Sequence, residues 1–353
     1  MTKIKEFFGK FKNFDIFANR VIFYIIPLVV VLVMIVCGLV YQLGDNKQYF
    51  ANIGIDFQGG TILTIEFDDA KANAQNYNKN LAAIKQVVEE QKVELSTDQA
   101  SGESTIIVQY TNWSEGVGGA VNDADAMNTI NAQIQSKLYA MSENGEIDRI
   151  VDNGVNFSTI GNESSKNLIK TSAIAVSIAL VLMLLYIIIR FDFYSGLAAV
   201  VALLHDVIIM LSLTVIFYVE IGDSIVAGLI TIVAYSINNT IVVFDRIRSV
   251  VKPLNKQGKK YDVGKVINNA VYSTMTRTLY TTLTTLVVMV ILVAMGVTSI
   301  QTFGLPIIFG LIAGFYSSVF IAAPLWGEFK NLGEKIKLNA KNRKFEKQRK
   351  ARA

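Results

Sequence analysis

The single histidine of the 353-residue chain, His205, is followed directly by Asp206, inside the apolar run Ala202-Leu203-Leu204-His205-Asp206-Val207. Histidine titrates near neutral pH, and a neighbouring carboxylate can share its proton, so the pair could carry protons. It could equally be a hydrogen bond or ion pair between packed helices, a second use of buried polar residues. A second group follows in Tyr235-Ser236-Ile237-Asn238-Asn239-Thr240, whose amides and hydroxyls can glue helices or line a wet path; an apolar turn later comes Asp245-Arg246-Ile247-Arg248. Arg277, amid Thr274, Thr276, Thr278, Thr281 and Thr282, reads by itself as an arginine snorkelling to a membrane interface. Nothing else suggests catalysis. One histidine and one cysteine exclude most metal sites, and no G-x-x-x-x-G-K-[ST] phosphate loop is present, so the expectation is a protein that is not an enzyme and has no cofactor.

The elements that must position these groups are set by composition. With 52% hydrophobic residues the chain exceeds what an ordinary globular protein can bury. Uninterrupted apolar runs at 21–43, 169–189, 196–219, 224–244, 279–297 and 303–325 each come near the roughly 20 residues that a spanning helix needs. Ionised groups inside such spans cost about 2.5 to 3.5 kcal/mol on insertion scales, so His205, Asp206 and their polar neighbours need a reason to be there. The first run follows Lys3, Lys5, Lys10, Lys12 and Arg20 but is too long for a signal peptide and lacks a small-residue cleavage site. The one cysteine, Cys37, lies within that run, so the chain forms no internal disulfide. Gly310 and Gly314 place a small-xxx-small face in the sixth span, which suits close helix packing.

Residues 44–165 are strongly acidic, whereas lysine and arginine concentrate in 1–20, in the connection 245–278 and in the tail 326–353. The positive-inside rule then puts both termini in the cytoplasm and 44–165 outside it. Within 44–165 the periodicity predicts strands at 53–67, 92–97, 105–110 and 146–159, with helices at 72–90 and 123–142. The order βαββαβ predicts a ferredoxin-like α+β sandwich, with Gly59 and Gly60 as a packing bulge or bend in its first strand. On the cytoplasmic side Ile4, Phe7, Phe8, Phe11 and Phe14 recur at helical spacing among lysines, as in a helix lying at the lipid headgroups. Residues 262–276 are also amphipathic, with Asp262 as a possible cap. The tail 341–352 reads as an orientation signal, with contact to anionic lipid or RNA as the alternative and no specific nucleic acid expected.

Several separate blocks resemble the SecF branch of the SecD/SecF family of the bacterial protein-export machinery, within the RND-like superfamily. They are Phe14-Asp15-Ile16, the stretch from Gly54 through Gly59 and Gly60 to Thr61, Ile188-Ile189-Arg190-Phe191, His205-Asp206 and the fourth-span run from Tyr235 through Thr240, Asp245 and Arg246 to Arg248. Thr276-Arg277-Thr278 with Thr281 to Thr285, Gly314 to Ser318 and Ala323-Pro324-Leu325 complete them. The resemblance implies a multi-pass subunit that pairs with SecD, works beside the SecYEG channel on exported preproteins and uses the proton-motive force or another ion gradient. It also implies functional weight for Asn238, Asn239, Thr240 and Arg277. One position departs from the family: its fourth-span motif usually reads Asn-Asp-Thr, and Asn239 replaces the acid. Asparagine neither takes up nor releases a proton. Asp206 is the nearest substitute in sequence. Two other readings stay open at this point: an RND-type half-transporter exporting a small hydrophobic solute, and an uncoupled structural subunit of the translocon.

Overall fold

The structure, a computed structural model, describes residues 14–43, 50–91, 93–101, 104–114, 119–120 and 124–350. Of the expected interfacial face, Ile4, Phe7, Phe8 and Phe11 lie outside the described residues. In chain order, helix α1 (Arg20–Leu43) leads through a single helical turn, α2 (Ile55–Gln58), into an α/β domain. That domain comprises β1 (Gly60–Phe67), α3 (Ala70–Glu89), β2 (Val93–Ser101), β3 (Thr105–Ser114), the short β4 (Gly119–Ala120), α4 (Ala124–Glu143) and β5 (Ile150–Ile160). Helices α5 (Asn162–Arg190), α6 (Phe193–Ile216), α7 (Ser224–Lys256) and α8 (Val263–Ala294) follow. The last helix, α9 (Thr298–Ser317), passes through a π turn at Ser318–Ala322 into α10 (Ala323–Lys350). Six helical runs among the described residues are long and apolar enough to cross a membrane.

The sheet runs β2-β3-β1-β5 with antiparallel neighbours, and β4 adds to β3. This is the ferredoxin-like order. Leu63, Ile65 and Phe67 alternate into the core with the period of a half-buried strand, and α3 and α4 cover them with Ile84, Val88, Ile134 and Leu138. Asp148 ties the α4–β5 connection to α3 by accepting from Asn76 and Asn80, each at 2.9 Å, while Asn80 accepts from the Asp148 amide.

The first strand begins later than its apolar pattern predicts. Ile53 makes only a parallel bridge to Ile221, 55–58 turn as helix, and β1 starts at Gly60. Tertiary docking overrides the strand propensity: the Gly54 amide donates to Ile221 O at 3.1 Å and the Ile221 amide to Asn52 O at 2.7 Å. The segment thus lies against the turn between α6 and α7. Gly59 ends the helical turn at φ 79, a conformation that disfavours other residues. A Cβ on Gly60 would stand 2.6 Å from Tyr110 O, so backbone, not a movable side chain, excludes it. Asp56 accepts from the Asp223 amide at 3.1 Å, closing the joint.

In the bundle, half of the apolar window of α6 and 67% of that of the final run are buried, against 6% for α1 and α5. The centre is therefore α6, α7 and α9, with α1, α5 and α8 around it. Leu28, Val181, Ile189 and Ile291 stay exposed, a surface that calls for lipid or a partner. Gly310 lets Ile232 pack directly on α9, and a Cβ on Gly314 would reach Ser236 Cβ at 3.1 Å. The helices run well past the apolar stretches: α7 continues to Lys256, and 263–278 is the first half of α8, capped by Asp262 through the amides of Gly264 and Lys265. Asp15 anchors the segment before α1 by accepting from Asn268 at 2.8 Å, with Ile16 fully buried.

Gly60→Ala is expected to destabilise the α/β domain by about 1–3 kcal/mol through overpacking; Gly145→Ala, at φ 75 with no atom within 4 Å, should cost only its backbone strain. Hydrogen exchange of the β1 and β3 amides measures the difference. Burial, and secondarily the Asp223 charge, raise the Asp56 carboxyl against the opposing Asp223 amide. A raised folded value means that the joint is firmest in acid and loosens as pH rises through that value. Intrinsic-rate-corrected protection of residues 53–60 should follow that trend and become flat in Asp56→Asn.

Candidate functional site

The polar residues of the spans form two layers that share α7. In the first, Asp206 on α6 is buried and is the only charged side chain among the described residues that is. Helices α6, α7 and α9 each supply a donor to it. His205 Nδ1 lies 2.9 Å from Oδ1, and Oδ2 accepts from the Ser236 hydroxyl of α7 and, at 2.9 Å, from the Ser317 hydroxyl. Ser317 is the last residue of α9 before the π turn, and such turns often mark functional sites because the extra residue re-aims the side chains around it. The small residue Gly314 one turn earlier allows α7 to approach closely enough for Ser236 to reach the carboxylate.

His205 is held on both faces of its role. Its ring stacks on Tyr316, with centroids 6.0 Å apart and planes at 23°, and the Tyr316 hydroxyl donates to Phe23 O of α1 at 2.8 Å. Its Nε2 is buried and has no hydrogen-bond partner among the described residues. With Nδ1–H donating to Asp206, Nε2 of the neutral ring is an acceptor; a proton arriving there makes an imidazolium paired with the carboxylate. The arrangement can therefore hold one proton more or fewer. An unpaired buried polar atom costs about 1–3 kcal/mol, so this nitrogen is where a proton or water would be most welcome.

The second layer joins α7 to α8. Asn239 is buried, and its Nδ2 donates to Thr282 Oγ1 at 3.4 Å. Thr285 Oγ1 donates to the Tyr235 hydroxyl at 3.4 Å. Thr278 is buried with its Oγ1 unpartnered among the described residues, and Thr240 and Thr274 are buried nearby in sequence. Asn238 and Arg277 do not enter either layer. Both are exposed in the isolated chain, on faces of α7 and α8 turned away from the bundle centre; the Arg277 carbonyl accepts from the Thr281 hydroxyl at 3.0 Å, and its guanidinium makes no hydrogen bond or ion pair with the described residues. Asp245 pairs with Arg190 at 3.4 Å and Arg246 Nε donates to Ser273 at 3.0 Å, so these two tie α7 to the end of α5 and to α8.

Ser236 stands out in the sequence only as a member of the fourth-span polar run and Ser317 only within a block of the family resemblance, since serine is common where helices pack. The one usable signal is spacing: Ser236 stands three residues before Asn239 on the same helix. In α8 the four-residue repeat Thr274, Thr278, Thr282 marks the buried face, whereas Arg277 and Thr281 lie off it. Among the described residues no three His, Cys, Asp or Glu side chains group as a metal site.

A test of the carboxylate's state follows. If Asp206 is ionised against Ser317, Ser317→Ala should cost about 1.5–3 kcal/mol in the native chain and about 0.5–1.5 kcal/mol in Asp206→Asn, where the acceptor is neutral. Unfolding in detergent reads both. Equal costs would mean that the carboxyl is neutral in the resting protein.

Comparison with known proteins bears on this geometry. The chain matches the family Protein export membrane protein SecD/SecF, C-terminal, over residues 144–332, and the SecD/SecF GG Motif over residues 52–71. It is 34% identical to the protein translocase subunit SecF of Acidaminococcus fermentans over 318 residues, covering 89% of this chain and 97% of that one. The SecF of Sebaldella termitidis is 31% identical over 299 residues, with 84% and 89% covered. The crystal structure of SecDF, a translocon-associated membrane protein from Thermus thermophilus, superimposes with a TM-score of 0.66 at 25% identity, over 90% of this chain. The chain spans 39% of that SecDF structure's length, and 35% of a Brucella abortus SecDF that is 28% identical.

Proposed function

Because the chain belongs to the SecD/SecF family, as a multi-pass SecF subunit of the protein translocase and so a transport protein rather than an enzyme, we propose that it couples proton movement to polypeptide export through the Asp206 layer. In this reading it pairs with a SecD subunit, works beside SecYEG, keeps both termini in the cytoplasm and holds the α/β domain outside to meet the emerging preprotein. Pairing is supported by the SecDF relatives, in which the matched region is part of a longer chain. The orientation is supported by the basic ends of α7 and α10 lying opposite an acidic α/β domain.

One observation carries the coupling: the single buried carboxylate among the described residues has an imidazole on one oxygen and two hydroxyls on the other. The acid that the family usually has one turn along α7 is here Asn239, an amide that cannot titrate. His205 favours the proton over an alkali cation, because the lone pair of its Nε2 binds a proton strongly and is a poor ligand for a hard alkali cation, which prefers oxygens. Each proton crossing about 100 mV releases roughly 2.3 kcal/mol, enough for repeated small movements of a domain and too little to unfold a large protein in one step. Arg277, exposed beside the Asn239 layer, is available to a carboxylate on the partner.

The Asn239–Thr282 contact supports a second reading, an uncoupled subunit that stabilises the translocon. Secretion into inverted membrane vesicles carrying this chain and its SecD partner separates the two. A proton gradient is expected to accelerate export in the wild type and in Asn239→Asp, and Asp206→Asn is expected to keep gradient-independent export while losing the acceleration. Acceleration confined to Asn239→Asp would identify the wild type as uncoupled; full acceleration in Asp206→Asn would move the coupling to the partner.

A further inference from the structure

The basic end of the bundle has a pocket that the coupling layers do not use. It holds about 560 Å³ between the last part of α7 from Phe244 to Lys256, the α5–α6 connection and the first turns of α10. Its floor is apolar, with Phe244, Ile247 and Val251 buried. Its rim is cationic: Arg248, Lys252 and Lys256 stand at four-residue spacing on one face of α7, and Lys330 faces them from α10. The same three α7 cations also line an adjoining hollow of about 580 Å³ with Arg190.

The charges inside these hollows remain unbalanced. Asp245 is paired with Arg190, and Asp192, which accepts from Ser195 and from the Trp326 indole at 3.4 Å, acts with Glu334 on Lys330, which leaves Arg248, Lys252 and Lys256 in excess. Arg248 donates to Arg190 O at 2.6 Å, and the Lys330 ammonium rests 4.4 Å from the Tyr261 ring centroid and 5.1 Å from that of Trp326. Lys252 and Lys256 make no hydrogen bond or ion pair with the described residues. Like charges at four-residue spacing on a helix repel each other, so the stripe is a liability until an anion sits on it.

We propose that this pocket binds the phosphate-bearing headgroup of an anionic phospholipid. The chemistry it offers, several fixed cations above a desolvated floor, suits any phosphate. What selects a lipid is the surface beside it: Ile189 and Phe193, flanking the pocket-lining Phe191 and Asp192, are 85% and 67% exposed, and Leu197 continues that strip one turn along α6. A headgroup in the pocket would leave its acyl chains on this strip. Basic pockets between transmembrane helices are a general form of lipid recognition. The site is independent of proton coupling, so loss of one need not affect the other.

Native mass spectrometry of the full chain in detergent, titrated with phosphatidylglycerol, phosphatidylethanolamine or inorganic phosphate, tests the proposal. Phosphatidylglycerol is expected to be retained at least about tenfold more tightly than phosphatidylethanolamine, the scale of one or two surface charges at about 1 kcal/mol each. Lys252→Gln with Lys256→Gln should remove that preference, Lys252→Arg with Lys256→Arg should keep it, and Lys335→Gln with Lys337→Gln on the exposed tail helix should leave it unchanged. The arginine pair guards against a variant that fails for lack of folding. Equal retention of the two lipids, an equal loss in the tail variant, or displacement of phosphatidylglycerol by millimolar inorganic phosphate would each overturn it, the last by assigning the pocket to a free anion.

Discussion

A carboxylate removed from water must be met by donors from every side, and Asp206 imposes that requirement on three helices at once. Its two oxygens take bonds from α6 itself, from Ser236 of α7 and from Ser317 at the end of α9. Those bonds fix the rotation of α7 and α9 about their axes to within the tolerance of a hydrogen bond. The glycines at 310 and 314 provide the close approach, and the π turn directs Ser317 inward at the one point where a regular helix would pass on. Removing a single partner from such a site is costly because the remaining charge stays buried.

The architecture was largely legible in the sequence because it is written in long periodic signals. Six apolar runs, an acidic segment with βαββαβ periodicity and basic segments between spans survive any local error in boundaries. What tertiary contacts decide was less accessible. Residues 53–59 have strand-like composition, and only the docking of Gly54 on Ile221 turns them into a bridge followed by a helical turn. Similarly, the polarity of 245–278 suggests a connection where α7 and α8 simply continue past the apolar stretch. At the site, His205 and Asp206 announce themselves as expensive residues in an apolar run. Ser236 and Ser317 do not, since a hydroxyl inside a span can return its bond to the preceding turn and needs no partner.

Helix α7 is common to all the features of the bundle. Ser236 faces the carboxylate, Asn239 one turn later faces Thr282 of α8, and the Arg248 to Lys256 stripe ends the same rod. The two polar layers and the basic end thus share one continuous helix, Ser224–Lys256. Arg277 and Asn238 lie on exposed faces of the rod and its neighbour.

The α/β domain is mounted at two points of different kinds. One is covalent: β5 runs into α5 through Gly161, around which a Cβ would find open space. The other is the docking of residues 52–56 on the turn that joins α6 to α7, through two backbone hydrogen bonds with Ile221, the Asp223 amide to Asp56, and the Asn52 side chain to Tyr218 O at 3.3 Å. The first is a pivot and the second a latch. Swinging the domain about Gly161 requires opening the latch, at about 0.5–1.5 kcal/mol per bond. The docked contact sits on the turn between the two helices that hold Asp206 and Ser236, so the mounting of the domain and the buried carboxylate share one helix pair.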